Sequence, residues 1–151
     1  MRGVGVLEFG APDVLQVIDL PEVHAGPGEI RVRVHAASVN PTDLSVRNGA
    51  RAETLRQVAP PYVPGMDAAG VIDEIGPGTD TDLTIGAPVM AMVVPVGNHG
   101  AYRESIVLNI DSVVRAPKGF SHSEVSTLPM NGLTARLSLD QSGLRPGQTI
   151  A

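Results

Sequence analysis

Aliphatic residues recur at every second position through most of this chain, and at helical spacing only near its end. The clearest alternation is Ile30, Val32 and Val34 set against Arg31, Arg33 and His35, which predicts a strand with one apolar face. Shorter strands are predicted over Gly3–Phe9, with Gly10-Ala-Pro-Asp13 as its turn, and over Leu15–Leu20. Ala25-Gly-Pro-Gly28 breaks the chain before the third. A helical segment over Thr42–Arg47 ends at Asn48-Gly49. Arg51–Pro64 is irregular and proline-rich, in the manner of a surface loop. Ala68–Ile75 is predicted as a strand stopped by Gly76-Pro-Gly78. Ala87–Val94 contains the unbroken apolar run Val89-Met-Ala-Met-Val-Val94 and is expected to be buried on both faces. Gly100–Leu108 and Ser112–Arg115 complete a series of short strands, as in a small barrel or sandwich.

The period then changes. Ser121-His-Ser-Glu124 is a capping box, expected to open a helix of about two turns. A second helix is predicted over Asn131–Gln141, with Leu133, Leu137 and Ala135 on its buried side and Ser142-Gly143 as its stop. Pro146-Gly147 is a turn, and Thr149-Ile150-Ala151 reads as the start of another strand. The fold class is therefore mainly β with short helices.

Composition narrows the function. A chain of 151 residues suits one domain with a real core, and 42% apolar with 18% charged residues is ordinary for a globular protein. Phe9, Tyr62, Tyr102 and Phe120 are the only aromatics, and the net charge is −5. The scarcity of aromatics argues against single-stranded nucleic acid, and the negative charge, with no Lys/Arg cluster, against nucleic acid and anionic membranes as partners. No apolar run approaches the ~20 residues of a membrane helix, and the N-terminus lacks a signal-peptide pattern, so a cytoplasmic location is expected. With no cysteine there is no thiolate nucleophile and no sulfur-ligated zinc. His24, His35, His99 and His122 are dispersed without ligand spacing. Lys118 lies in a Pro-Lys-Gly turn, unlike a P-loop lysine, and neither Gly3-Val-Gly5 nor Gly76-Pro-Gly78 is a dinucleotide fingerprint.

The most informative stretches are Ala37-Ser-Val-Asn-Pro-Thr-Asp43, Pro64-Gly-Met-Asp-Ala-Ala-Gly-Val71, Ile75-Gly-Pro-Gly78, Gly100-Ala-Tyr-Arg-Glu104, Ala116-Pro-Lys-Gly119, Leu128-Pro-Met-Asn-Gly-Leu-Thr-Ala135 and Arg145-Pro-Gly-Gln148. In this order the chain resembles the N-terminal, GroES-like domain of the medium-chain dehydrogenases/reductases, in their zinc-free quinone oxidoreductase and enoyl reductase branch. The resemblance implies a partly open β-barrel over residues 1–120. Residues 121–151 would be linking helices and the first strand of a Rossmann dinucleotide-binding domain that the chain lacks.

Zinc alcohol dehydrogenases of this fold carry a cysteine in the first segment and Gly-His-Glu in the second. Asn40 and Gly65-Met66-Asp67 stand there in this chain, a poor donor set for zinc. The resemblance thus implies no metal and NADP(H) as cofactor, with hydride transfer to a quinone or an enone. The protein would supply position, a dry cleft and hydrogen bonds to the developing oxyanion. It further implies that Asn40 contacts nicotinamide and substrate, that Thr42 takes the place of a proton-relaying hydroxyl, and that Thr134 faces the nicotinamide. Tyr62 is a candidate proton donor.

Each candidate has a structural counterpart. Asn40 before Pro41 is also an Asx-turn residue, Asp43 a helix-start carboxylate, Asp67 a scaffold acid, Tyr62 a packing anchor, Thr134 an ordinary helical residue and His99 a solvated loop residue. Without a dinucleotide-binding domain the chain alone is expected to be inactive. It would be part of a larger reductase, one half of a split enzyme, or a free-standing binding module. A homodimer would depend largely on the absent domain.

Overall fold

A computed structural model describes residues 1–149. β1 (Arg2–Gly5) and β2 (Gln16–Asp19) form an antiparallel pair. β3 (Glu29–Ala36), β4 (Asp67–Ile75), β5 (Pro88–Met92), β6 (Ser105–Asn109) and β7 (Val113–Arg115) form an antiparallel sheet in the order β6-β3-β4-β5-β7. The alternation along β3 works as read from its pattern: Ile30 and Val32 point into the core while Arg33 and His35 face outward. Register irregularities between Arg31 and Val32 and between Val34 and Ala36 bend the sheet. At Gly70, a Cβ would lie 2.0 Å from the Arg33 carbonyl oxygen, so β4 can approach β3 this closely only without a side chain.

The main core gathers Ile30, Val32, Ile72, Val89, Val93 and Ile106 with their neighbours inside the curled sheet. A second cluster, Val6, Val46, Leu55 and Tyr62, packs with Phe9 beneath α1 (Pro41–Asn48) and the single turn α2 (Ala52–Leu55). The first pair of strands and the residue after β1 are tied to the segments that precede β6 and β4 by backbone bonds from Val4 to Tyr102, 2.8 Å, and between Val6 and Tyr62, 2.9 and 3.0 Å. The result is a partly open barrel. Among the described residues, no helix is long and apolar enough to cross a membrane.

Several expectations need correction. The first strand stops at Gly5 because Val6 turns away to pair with Tyr62. The strand expected from Gly100 begins only at Ser105, residues 100–104 being taken up by turns and a bridge from Arg103 to Gly3. β5 is buried on one face rather than two: Val89 and Ala91 are interior, Pro88 is exposed, and Met90 and Met92 are half-buried. Ser121 does cap α3 (His122–Val125), but this helix is a single turn, and α4 (Pro129–Ser142) starts almost at once with proline in its first turn. Leu133 and Leu137, expected inside, are 39% and 49% exposed, and none of α4 is buried. Gly143, left-handed at φ 62°, ends the helix as expected. Ile150 and Ala151, part of the expected final strand, lie outside the described residues.

Candidate functional site

The site is assembled where β3 runs out. After Ala36 the chain passes through Ser38 to Asn40, whose extended backbone (φ −111°, ψ 159°) and following proline set up the first turn of α1. Asp43, three residues on, reaches back to accept from the Asn40 backbone N–H at 2.7 Å, within a capping box. Its other carboxylate oxygen accepts from the Gly65 N–H, also at 2.7 Å. Gly65 sits at φ 110°, and a Cβ there would come within 2.7 Å of the Ala101 nitrogen. Glycine is therefore required for the turn that brings the second motif onto the first.

Two residues later β4 opens with Asp67, which is fully buried. Its carboxylate accepts from the Ser38 hydroxyl and from Asn40 Nδ2 at 2.7 Å on one oxygen. The other oxygen accepts from the Met130 N–H, 2.7 Å away in the first turn of α4. Asn40 Nδ2 also donates to Ser38 Oγ at 3.0 Å. Buried carboxylates are tolerated because donors surround them. Asp43 and Asp67 each have three, and between them join α1, the Gly65 turn, β4 and α4.

The Gly100–Glu104 motif supplies Tyr102. Its hydroxyl lies 3.2 Å from the Ser38 carbonyl oxygen and 3.3 Å from Asp43 Oδ2. Burial, and then the negative charge of Asp43, push the phenol pKa well above its ordinary value, so Tyr102 stays a neutral donor.

Asn40 opens onto a cleft of about 500 Å³ lined also by Ser38, Pro41, Ser126, Thr127 and Asn131. Thr42 is half-buried in the first turn of α1. Across Tyr102 and Asp43 lies a smaller apolar cavity of about 200 Å³ bounded by Leu15, Val39 and Leu44. The cleft's amide and hydroxyl lining suits a carboxamide-bearing ring, so the nicotinamide end of a dinucleotide fits the residues present.

The other candidates are placed differently. Tyr62 belongs to the second core: its ring stacks on Phe9 at 5.1 Å between centroids, and its hydroxyl donates to the Val58 carbonyl at 3.1 Å. That placement is the packing anchor of the structural alternative, and Tyr62 does not line the cleft. Thr134 is exposed on α4, three residues beyond Asn131, and does not line the cleft. His99 holds the Val107 carbonyl with Nε2 at 2.9 Å, a structural bond rather than the solvated loop histidine expected. Ser38 and Tyr102, given no role from sequence, turn out to be central. Ser38 sits two residues before Asn40, and Tyr102 stands inside a quoted motif, but only the fold brings them to the two acids.

The corner corresponding to a zinc site does not suit a cation. Asp67 is already met by three donors, one of them an amide hydrogen of Asn40, and Met66 offers a thioether. Among the described residues, no group of three or more histidine, aspartate or glutamate side chains is arranged to hold a metal ion.

Residues 26–118 match the model of the alcohol dehydrogenase GroES-like domain. The chain belongs to this family. Its relatives include the synaptic vesicle membrane protein VAT-1 homolog-like of Homo sapiens, 30% identical over 99% of this chain and 34% of that protein. A 2-haloacrylate reductase of a Burkholderia species is 32% identical over 93% of this chain and 42% of that protein. Among solved structures, the quinone oxidoreductase of Coxiella burnetii superposes with a TM-score of 0.86 at 30% identity, over 97% of this chain and 46% of that one. A mycobacterial protein complexed with NADPH gives 0.80 at 26%, over 98% and 43%. This GroES-like domain therefore spans between about a third and a half of the length of the proteins it matches, which place it among the medium-chain oxidoreductases.

Proposed function

We propose that this chain is the catalytic-domain portion of a zinc-independent, NAD(P)H-dependent reductase of quinones or α,β-unsaturated carbonyl compounds. Residues 1–120 form the catalytic wall, and residues 121–151 lead towards a dinucleotide-binding domain. The observation that carries this reading is the state of Asp67 and Asn40: the corner that would hold a Lewis acid is filled by a closed hydrogen-bond network. An acceptor for such a site must already be activated by conjugation, as quinones and enones are. The reductase and quinone oxidoreductase among the relatives, and the NADPH complex among the structures, support the same reading.

When bound, the reduced nicotinamide supplies the hydride. The rest falls to the chain. Asn40 and the hydroxyl-bearing residues of the cleft orient the ring. Pro41 and α1 wall one side of the cleft, and Thr42, in the first turn of α1 though not in the cleft lining, is the residue assigned to hand on a proton. Thr134 contacts the cofactor only if a further domain folds over α4. Alone, the 151 residues are expected to show no turnover, since among the described residues no glycine-rich turn at a helix start is placed to grip a pyrophosphate. In the polypeptide that its gene encodes, Asn40→Ala is expected to lower kcat/KM by about 2–4 kcal/mol of transition-state stabilisation. An unchanged kcat/KM would assign Asn40 to the turn alone.

A further inference from the structure

Arg2, Arg31, Arg115 and Arg136 each pair with a carboxylate. Arg47, in the last turn of α1, is half-buried and pairs with none among the described residues. Its Nε is closed off from solvent and has no hydrogen-bond partner. Its two Nη groups meet no protein acceptor among the described residues either, but they are not closed off. A guanidinium carries a full set of N–H donors, and leaving them unmet inside a protein costs stability, so such a group marks the place of a water or an anion. Asp43, one turn earlier on the same helix, does not fill that place. Its oxygens are taken by the N–H groups of Asn40 and Gly65 and by the Tyr102 hydroxyl.

Arg47 lines the apolar cavity of about 200 Å³ with Asp43, Tyr102, Leu15, Val39 and Leu44, and it is the only cation in that wall. Val39 also borders the cleft beside Asn40, so the two openings adjoin. A cavity of this size is smaller than those that take drug-sized ligands, so its occupant is small. We propose that Arg47 binds the carboxylate of a small α,β-unsaturated acid in this cavity and selects such acids over neutral enones. The planar guanidinium matches a carboxylate and can serve both of its oxygens, while Leu15, Val39 and Leu44 surround the carbon chain. The proposal rests on the reductase reading and narrows its substrate class.

The arginine Nε–H signals of the 15N-labelled protein, without cofactor, report such binding directly. The Arg47 signal, identified by its loss in Arg47→Lys, is expected to shift saturably on titration with sodium crotonate. Half of the shift should be reached at about 10 mM or below, as suits a ligand of few atoms held by one charge-assisted pair. The exposed Arg51 should show no saturable shift, and neutral crotonamide should leave Arg47 unmoved. No shift, a shift that only rises linearly with added salt, or an equal shift with crotonamide would overturn the proposal. A second measurement uses turnover of the polypeptide that its gene encodes. Arg47→Gln should lose at least about tenfold more kcat/KM for the conjugated acid than for a neutral enone of the same length. Equal losses would also overturn it. Should this variant fail to fold, the titration of the parent decides the matter. Saturable binding by a protein without turnover would refute the reductase reading and leave the site standing, and turnover without such binding would do the converse.

Discussion

Tyr102 shows how one hydroxyl can link two motifs that lie far apart in sequence. It donates between the Ser38 carbonyl and Asp43, and both burial and that acid hold its pKa above the ordinary phenol value. A group whose folded pKa is raised keeps its full stabilising effect below the unfolded value and loses it at higher pH. Stability should therefore fall as the pH climbs above about 10, and Tyr102→Phe should flatten part of that alkaline limb while costing about 1 kcal/mol at neutral pH. Urea midpoints at pH 7 and above pH 10 would check this; parallel losses in parent and variant would contradict it. Gly65→Ala should cost about 2 kcal/mol or more, because it combines a left-handed backbone with a Cβ pressed on the Ala101 nitrogen. A midpoint equal to the parent's would mean that the turn relaxes freely. Asn40, Asp43 and Asp67 were legible because their types and their places beside proline and glycine stand out. Ser38 and Tyr102 were not, since what gives them meaning is a partner 29 or 59 residues away.

Between elements, packing decides what periodicity cannot. Leu133 and Leu137 mark α4 as a helix, yet their spacing does not say whether anything covers them, and in the described residues they stay exposed. Leu137→Ala should therefore change stability by no more than about 0.5 kcal/mol, whereas Ile72→Ala, in the main core, should cost about 2–5 kcal/mol. A large loss from Leu137→Ala would show that α4 is packed after all. The run in β5 misled for a related reason: continuous apolarity suits a strand covered on both faces, but here one face meets only loops and the start of α4. α3 is attached partly through histidines. The rings of His35 on β3 and His122 on α3 stack at 4.7 Å, and burial, then the neighbouring His35, holds the His122 pKa below its usual value. A histidine with a lowered folded pKa stabilises above the unfolded value, near pH 6.5, and that stability drains as the pH falls through the folded value. Thermal melts between pH 7 and pH 5 should show this loss in the parent and less of it in His122→Gln. The same slope in both would place its origin elsewhere.

For the whole molecule, the barrel was readable because strand period, turn residues and motif order agree on it. The cleft was only half readable. Its wall residues were identifiable, but their orientation is set by two buried acids whose donors come from four separate segments. The central claim is that this wall serves reduction by a nicotinamide without a metal. The most direct measurement is the oxidation of NADPH by a simple quinone or enone, followed optically with the polypeptide its gene encodes, before and after dialysis against a strong chelator. The expected result is turnover that survives the chelator and falls sharply in Asn40→Ala. Turnover that disappears on chelation and returns with zinc would contradict the claim.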